Sequence, residues 1–457
     1  MIDKELIRKY NVAGPRYTSY PPANYFSDSF SQEKFIHLLD RSNKKEPQSI
    51  SLYLHIPFCP QICYFCGCNT SLYKDKNTVD AYFEALITEI TLVAEHLNKK
   101  RKVTQIHWGG GTPNSVSFKW IEKVMNIIRQ KFTVLPQAEV AMECNPAYLE
   151  LTDLVKLNQM GFNRISIGVQ DFNHQILKGI NRIPSKYPLE DVNRTAKKSG
   201  FKGVNIDLIY GLPGQQYDDF IESVKRALKI SPERLVTFSY AHVPWFKKHQ
   251  KKLEKYYMPG PDEKLEMLES SFDMITNAGY QAIGMDHYAK PGDELYVALQ
   301  NKELHRNFQG YCTRETTGQV YAFGATAISQ LTDGYSQNSR SIKEYSDTLK
   351  KGNLPVLRGY ILNEQEKMIR EVINETMCNH YVDFQEIAGK YQLSAGDLKK
   401  ILNFQPEKLR PFIEDGLVEF NDNKLSVNSR GFFLIRNIAM ALDTMLENKK
   451  NQYSKTI

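Results

Sequence analysis

The 457-residue chain has no long apolar run free of charge, so nothing in it predicts a helix that crosses a bilayer. Its start, Met1-Ile2-Asp3-Lys4-Glu5-Leu6-Ile7-Arg8-Lys9-Tyr10, is charged and lacks the apolar stretch of a secretory leader. Low-complexity tracts and short-period repeats are also missing. These absences predict a soluble, cytoplasmic protein with no membrane span. Net charge is scarce as well: +7 is mild for this length and predicts a solvated surface rather than a nucleic-acid groove, though a basic pocket for a polyanionic small substrate fits it equally well. Seven cysteines, four of them within ten residues and the others scattered at Cys144, Cys312 and Cys378, do not make a secreted disulfide framework. Neither G-x-G-x-x-G nor G-x-x-x-x-G-K occurs at the chain's one triple glycine, which removes the common phosphate loops there.

What is present is Cys59-Pro60-Gln61-Ile62-Cys63-Tyr64-Phe65-Cys66, spaced C-x3-C-x2-C, directly after an apolar stretch. Three thiolates on one short loop can hold three irons of a [4Fe-4S] cube and leave the fourth open to an outside ligand. Such an open corner is what reductive cleavage of S-adenosylmethionine requires. Cys68 supplies a fourth thiol, so a structural zinc site is the competing reading. Zinc sites usually take their cysteines from two separated pairs, and no second pair follows, so the spacing favours the cluster.

Residues 50–245 alternate β-branched apolar runs with helical patterns, the signature of consecutive βα units and a parallel sheet. Strands are expected at 50–56, 103–108, 139–143, 164–169, 203–210 and 235–242, with helices at 79–96, 118–131, 151–160, 189–200 and 217–230. Six units rather than the eight of a complete barrel predict an open, partial (β/α)6 barrel. Near-continuous apolar strands are expected of a sheet covered on both faces. The carboxyl ends carry residues that packing explains poorly: the cysteine loop, Gly109-Gly110-Gly111-Thr112-Pro113, Glu143-Cys144-Asn145-Pro146, Gln170-Asp171, Asp207 with Tyr210, and Tyr240-Ala241-His242. In barrel-like parallel folds, cofactor residues gather at that end.

A triple glycine after a strand lets backbone groups approach a ligand with no Cβ in the way; alone it is equally well a tight turn. Beside the cysteine loop it reads as a wall for the amino group of a methionine moiety. Glu143 and Asp207 suit an amine or ribose hydroxyls, and Arg182 a carboxylate by bidentate contact, whereas for any single strand-end charge structural pairing is the commoner role. His55, His107 and His242 are expected to be hydrogen-bonded structural groups. Cys68 stands too close to Cys66 to join the same cube without strain.

With these elements in place, the chain resembles the radical S-adenosylmethionine superfamily and, within it, the oxygen-independent coproporphyrinogen III oxidase (coproporphyrinogen dehydrogenase) family. The resemblance covers essentially the whole chain. It rests on Tyr17-Thr18-Ser19-Tyr20-Pro21, His55-Ile56-Pro57-Phe58-Cys59, Cys63-Tyr64-Phe65-Cys66-Gly67-Cys68-Asn69, 107–113, Gly168-Val169-Gln170-Asp171-Phe172, 205–213, Gly284-Met285-Asp286-His287 and 305–311. It implies that Cys59, Cys63 and Cys66 ligate the [4Fe-4S] cluster. It also implies that Tyr53, Gly110, Glu143 and Ile328 contact one S-adenosylmethionine, with Tyr53 at the reacting centre. Phe65, Gly111, Thr112, Gln170, Arg182, Asp207 and Ala241 match a second S-adenosylmethionine site. Asn145-Pro146 departs from the family's Asp-Pro. The implied reaction uses a 5′-deoxyadenosyl radical to convert two propionates of coproporphyrinogen III to vinyl groups, giving protoporphyrinogen IX in haem biosynthesis. The implied partners are this tetrapyrrole and a reductant for the cluster, acting on a monomer. Arg306 and residues 16–20 are candidates to grip the propionates.

The expected domains are an N-terminal lid over residues 1–48, the barrel with its extension over 49–355, and a C-terminal helical domain over 356–457. The last should contain helices at 364–378, 384–391, 395–402 and 409–415, then a hairpin over 417–427 turning at Asn421-Asp422-Asn423, a winged-helix-like order. No Arg/Lys stripe marks a recognition helix there, and Glu414-Asp415 is a poor surface for phosphate, so DNA binding is not expected.

Overall fold

The computed structural model describes residues 4–73, 75–314 and 318–446. Two compact units interleave along the chain, one formed from 27–279 and 315–360, the other from 1–26, 280–314 and 361–457. Composition marks neither the crossing near 280 nor the return near 315. The return has a physical cause, because residues 319–323 add a strand to the sheet of the larger unit.

In that larger unit six parallel strands lie side by side in chain order: β1 (Ile50–Ile56), β2 (Lys102–Gly110), β3 (Thr133–Cys144), β4 (Arg164–Gln170), β5 (Gly203–Tyr210) and β6 (Arg234–Ser239). This is the expected α/β architecture of a partial, open (β/α)6 barrel. β1 and β6 do not close on each other; the free side of β1 takes a parallel strand, β7 (Gln319–Phe323), with Ile50 opposite Gln319 and Leu54 opposite Phe323. The sheet then continues through β8 (Ile328–Leu331), β9 (Gly334–Asn338) and β10 (Val356–Ile361), an extension that sequence periodicity did not predict as strand.

Register sorts the side chains. Tyr53 stands opposite His107, His107 opposite Ala141, Glu143 opposite Ser166, and Ser166 opposite Asn205, while Gly168 faces Asp207. Because side chains alternate with period two, one face carries Tyr53, His55, Gln105, His107, Glu139, Glu143, Arg164, Ser166, Asn205 and Asp207. The opposite face carries Leu52, Leu54, Ile56, Ile106, Trp108, Met142, Ile165, Ile167, Ile206 and Leu208, none more than 1% exposed. The strands are therefore not near-continuously apolar, as the sequence reading has them: polar residues run the length of one face. They pair across strands there, Gln105 Nε2 donating to Glu139 Oε1 at 2.9 Å, Arg164 Nε to Glu139 Oε2 at 2.9 Å, and Ser166 Oγ to Asp207 Oδ2 at 2.9 Å.

Helices follow the strands: α1 (Lys76–Glu95), α2 (Phe118–Lys131), α3 (Leu151–Gln159), α4 (Leu189–Lys198) and α5 (Tyr217–Ile230). In α2, Ile121, Val124, Met125 and Ile128 recur at helical spacing and are buried, as a helix covering an apolar sheet face requires. α3 and α5 begin in capping boxes, Glu150 with Asp153 and Gln216 with Asp219. Burying each large aliphatic side chain contributes roughly 1.5–3 kcal/mol.

The smaller unit holds the expected C-terminal helices, Glu364–Asn379, Phe384–Lys390, Ala395–Ile401 and Arg410–Glu414, and the hairpin of Val418–Asn421 with Lys424–Val427. A third strand, Tyr381–Asp383, joins the hairpin. Residues 17–20 belong to this unit: Tyr17 and Tyr20 are buried and donate their hydroxyls to the two oxygens of Asp443, both at 2.9 Å.

Candidate active site

β1 runs directly into the cysteine loop, which is closed by a short parallel pairing of Phe58–Cys59 with Ser71–Leu72. Two other segments brace it. From one side the Tyr64 N–H donates to Ile180 O at 2.9 Å, Asn181 Nδ2 to Ile62 O at 2.8 Å, and Gln61 Nε2 to Asn181 O at 2.9 Å. From the other, Lys247 Nζ donates to Cys68 O at 2.7 Å, His249 Nε2 to Cys66 O at 2.8 Å, and Gln250 Nε2 to both Phe65 O (2.9 Å) and Ala241 O (3.3 Å). Gln250 thereby joins Phe65 and Ala241, two predicted site residues far apart in sequence. The bracing residues 247–250 escaped the sequence reading because no spacing rule links them to cysteines so distant in the chain.

Each thiol of the C-x3-C-x2-C run has its own donor. Thr112 Oγ1 donates to Cys59 Sγ at 3.3 Å, Arg182 Nη1 to Cys63 Sγ at 3.5 Å, and the Cys68 N–H to Cys66 Sγ at 3.4 Å. Burial pushes the Cys59 thiol up to about 11, an effect the Thr112 hydrogen bond reduces. Burial also raises Cys63, against the opposing pull of Arg182. The Cys66 thiol is drawn down, first by the Cys68 side chain and then, against burial, by the Cys68 N–H. Cys59 is buried, Cys63 and Cys66 partly so, and Cys68 is exposed. Among the described residues no three His, Cys, Asp or Glu side chains converge as a lone ion would need. Three thiols on one short loop are the donor set that a group of several metal atoms takes, with each sulfur meeting a different one.

Beside the loop, the polar sheet face forms a connected network. His55 Nε2 lies 3.0 Å from Asn69 O, which only accepts, so that nitrogen carries the proton and Nδ1 accepts from the Tyr53 hydroxyl at 3.1 Å. Burial lowers His55. The Tyr53 ring stacks on His107 at 5.9 Å, and His107 Nε2 donates to Glu143 Oε1 at 3.1 Å. The Gly110 N–H donates to Glu143 Oε2 at 3.0 Å. Burial alone would raise the Glu143 carboxyl, but the hydrogen bond and charge of His107, the Gly110 N–H and His55 together hold it below its ordinary value. Its side chain is still 42% exposed, so the carboxylate keeps accessible lone pairs.

The three glycines have separate reasons. A Cβ on Gly109 would meet Glu143 Oε1 at 2.6 Å, one on Gly110 (φ +109°) would meet the His55 ring at 2.6 Å, and one on Gly111 would meet Phe58 O at 2.7 Å. The motif is therefore more than a tight turn: it makes room for Glu143, His55 and the strand that enters the cysteine loop.

Further along the sheet, Gln170 ends β4 at φ +71°, and its side-chain oxygen is buried with no hydrogen-bond partner among the described residues. Asn205 Oδ1 is in the same condition. Arg182 also donates to Gly168 O, which fixes the guanidinium between β4 and Cys63. Ile328 opens β8, with β7 between it and β1. Several strand-end residues prove structural instead. Asp171 is fully buried and binds the Asn173 N–H, Gln215 and Ser223; Asn145 pairs with Asn114; and Cys144 is buried with its thiol toward Met142 O.

Known proteins resemble this chain over nearly its whole length. The Radical SAM superfamily description matches residues 53–227, and the HemN C-terminal domain matches 362–434. The oxygen-independent coproporphyrinogen III oxidase of Synechocystis sp. is 41% identical, covering 98% of this chain and 96% of its own length. That of Escherichia coli is 39% identical over 100% of this chain and 98% of its own. The chain belongs to the oxygen-independent coproporphyrinogen III oxidase family. The solved structure of coproporphyrinogen III oxidase (HemN) from Escherichia coli, a radical SAM enzyme, superposes with a TM-score of 0.91 at 37% identity, covering 98% of this chain and 99% of that one. Family membership thus extends over both compact units, with the superfamily match starting at Tyr53 and the C-terminal match ending at Leu434.

Proposed function

We propose that this protein is an oxygen-independent coproporphyrinogen III oxidase, converting two propionate side chains of coproporphyrinogen III to vinyl groups with loss of two CO2. The carrying observation is the juxtaposition of three separately hydrogen-bonded thiols with the Glu143–Gly110 pair and Arg182 at the carboxyl ends of a polar sheet face. When bound, a [4Fe-4S] cluster with S-adenosylmethionine supplies the one-electron chemistry that starts hydrogen abstraction at a propionate β-carbon.

Cys59, Cys63 and Cys66 would hold the cluster, and the donors on their sulfurs would tune it. Glu143, already charged, would take the cationic amino group of S-adenosylmethionine, with Gly110 and Tyr53 beside it and Ile328 contributing an apolar contact. Gln170, with its unpartnered oxygen, Arg182 and Asp207 would bind a second such molecule, walled by Phe65, Gly111, Thr112 and Ala241. Arg306, whose Nη1 donates to Arg16 O at 2.7 Å and whose Nε has no partner among the described residues, is the candidate for a substrate carboxylate. In this reading the protein is a cytoplasmic monomer, and an external reductant feeds the cluster.

The test is anaerobic incubation of the reconstituted protein with S-adenosylmethionine, a reductant and coproporphyrinogen III, following the tetrapyrrole by mass. Loss of two CO2 units with formation of 5′-deoxyadenosine is expected. Cofactor cleavage with an unchanged tetrapyrrole would overturn the substrate assignment.

A further inference from the structure

The segment that braces the outer side of the cysteine loop, Trp245-Phe246-Lys247-Lys248-His249-Gln250-Lys251-Lys252-Leu253-Glu254-Lys255-Tyr256-Tyr257, carries five lysines against one glutamate. Three of its aromatic side chains face outward: Trp245 is 72% exposed, Phe246 67% and Tyr257 58%. Lys248, Lys251 and Lys255 are exposed too. Lys248–Leu253 is a 3-10 helix, in which residues three apart eclipse, so Lys248 and Lys251 present their charges together. Adjacent exposed aromatic side chains match the composition of protein-binding hot spots, and the lysines around them form a charged rim.

Position gives the patch its meaning. The segment reaches the cysteine loop through its own side chains: Lys247, His249 and Gln250 bond the carbonyls of Cys68, Cys66 and Phe65, and Lys252 lies 4.6 Å from the centre of the Tyr64 ring. Gly67 and Cys68, at the outer edge of that loop, are exposed. A partner seated on these lysines and aromatics would stand one hydrogen bond from the residues that carry the thiols.

We infer that the 245–257 patch is the docking surface for an acidic, one-electron redox protein that reduces the cluster, an inference that rests on the function proposed above. Charge complementarity selects the partner. A basic rim would steer a negatively charged donor and orient its redox centre toward the exposed loop edge, in the small, transient contact typical of electron transfer. In the transfer itself the donor loses one electron and the cluster gains one, with no bond made or broken.

The experiment uses the full chain with its cluster reconstituted and, as probe, a reduced acidic FMN protein of the flavodoxin class. Cluster reduction is followed by loss of its visible absorbance after rapid mixing, and binding is measured separately by titration. The triple variant Lys248→Glu, Lys251→Glu, Lys255→Glu should lower the second-order reduction rate by about tenfold or more and flatten its dependence on salt. Dithionite, which needs no docking, should bleach wild type and variant alike. Trp245→Ala should weaken binding without altering the dithionite reaction. Wild-type rate and salt dependence in the triple variant would overturn the inference. Loss of binding to anionic vesicles with reduction by the FMN protein unchanged would likewise overturn it, and would assign the patch to a membrane surface. A wild-type protein that dithionite reduces but that leaves S-adenosylmethionine intact would sink the proposed function instead, while the binding titration still decides the patch.

Discussion

The Cβ that Gly109 lacks would lie 2.6 Å from Oε1 of Glu143, a carboxylate already pinned by His107 and the Gly110 N–H. Gly109→Ala must therefore displace Glu143 from both donors. The expected outcome is a folded protein that retains its iron and loses S-adenosylmethionine affinity by roughly tenfold or more, since a hydrogen bond to a charged group is worth about 1.5–3 kcal/mol. Equilibrium binding of S-adenosylmethionine alongside iron analysis checks this. Unchanged affinity would remove Glu143 from the binding site.

The four cysteines of the loop should separate into two classes. Serine at Cys59, Cys63 or Cys66 should each abolish the cluster, seen as loss of iron and of visible absorbance. Cys68→Ser should keep it, because the exposed Cys68 stands behind Cys66 as a hydrogen-bond donor. A Cys68 variant purified without iron would contradict the three-ligand reading.

Stability should fall with rising pH through a group distant from the cysteines. Glu89 on α1 is 1% exposed and accepts hydrogen bonds from Gly324 N–H, Asn338 Nδ2 and Tyr345 OH, yet burial pushes it up from 4.5 to about 7. A folded-state value above the unfolded one means its contribution is complete below pH 4.5 and is lost as pH rises through about 7. The span corresponds to roughly 3 kcal/mol. Denaturation of Glu89→Gln across that window should show a flatter profile; a variant with the wild-type slope would exclude Glu89 as its source.

Asp443→Ala removes the shared acceptor of two buried tyrosine hydroxyls, Tyr17 and Tyr20. At about 0.5–1.5 kcal/mol for each hydrogen bond lost, the smaller unit should unfold at lower denaturant than the larger. Coincident, unshifted transitions would show that the aspartate is dispensable.

Much of the larger unit was legible. The bounds 50–56, 203–210, 118–131 and 217–230 match the observed elements, because β-branched runs and helical spacing reflect local geometry. The polar face was harder to see, although its signal lies in plain alternation: Tyr53 with His55, Gln105 with His107, Asn205 with Asp207, each two residues apart. His55 and His107 are hydrogen-bonded groups, as expected of lone histidines, but the groups they bind are Tyr53 and Glu143, at the centre of the candidate site. What could not be read was anything that depends on long-range pairing: β7 beside β1, residues 247–250 beneath the cysteine loop, and the shared acceptor at Asp443.

The pairing of β7 with β1 sets an order of events at the ribosome. Synthesis is vectorial, and β1 finds β2 early, yet its other edge stays open until residues 319–323 emerge. The cysteine loop leaves the end of that half-paired strand, while the residues that brace it, 180–181 and 247–250, are made before the second edge is covered. A nascent chain ending before residue 319 would therefore hold a braced cysteine loop on a strand still open along one edge.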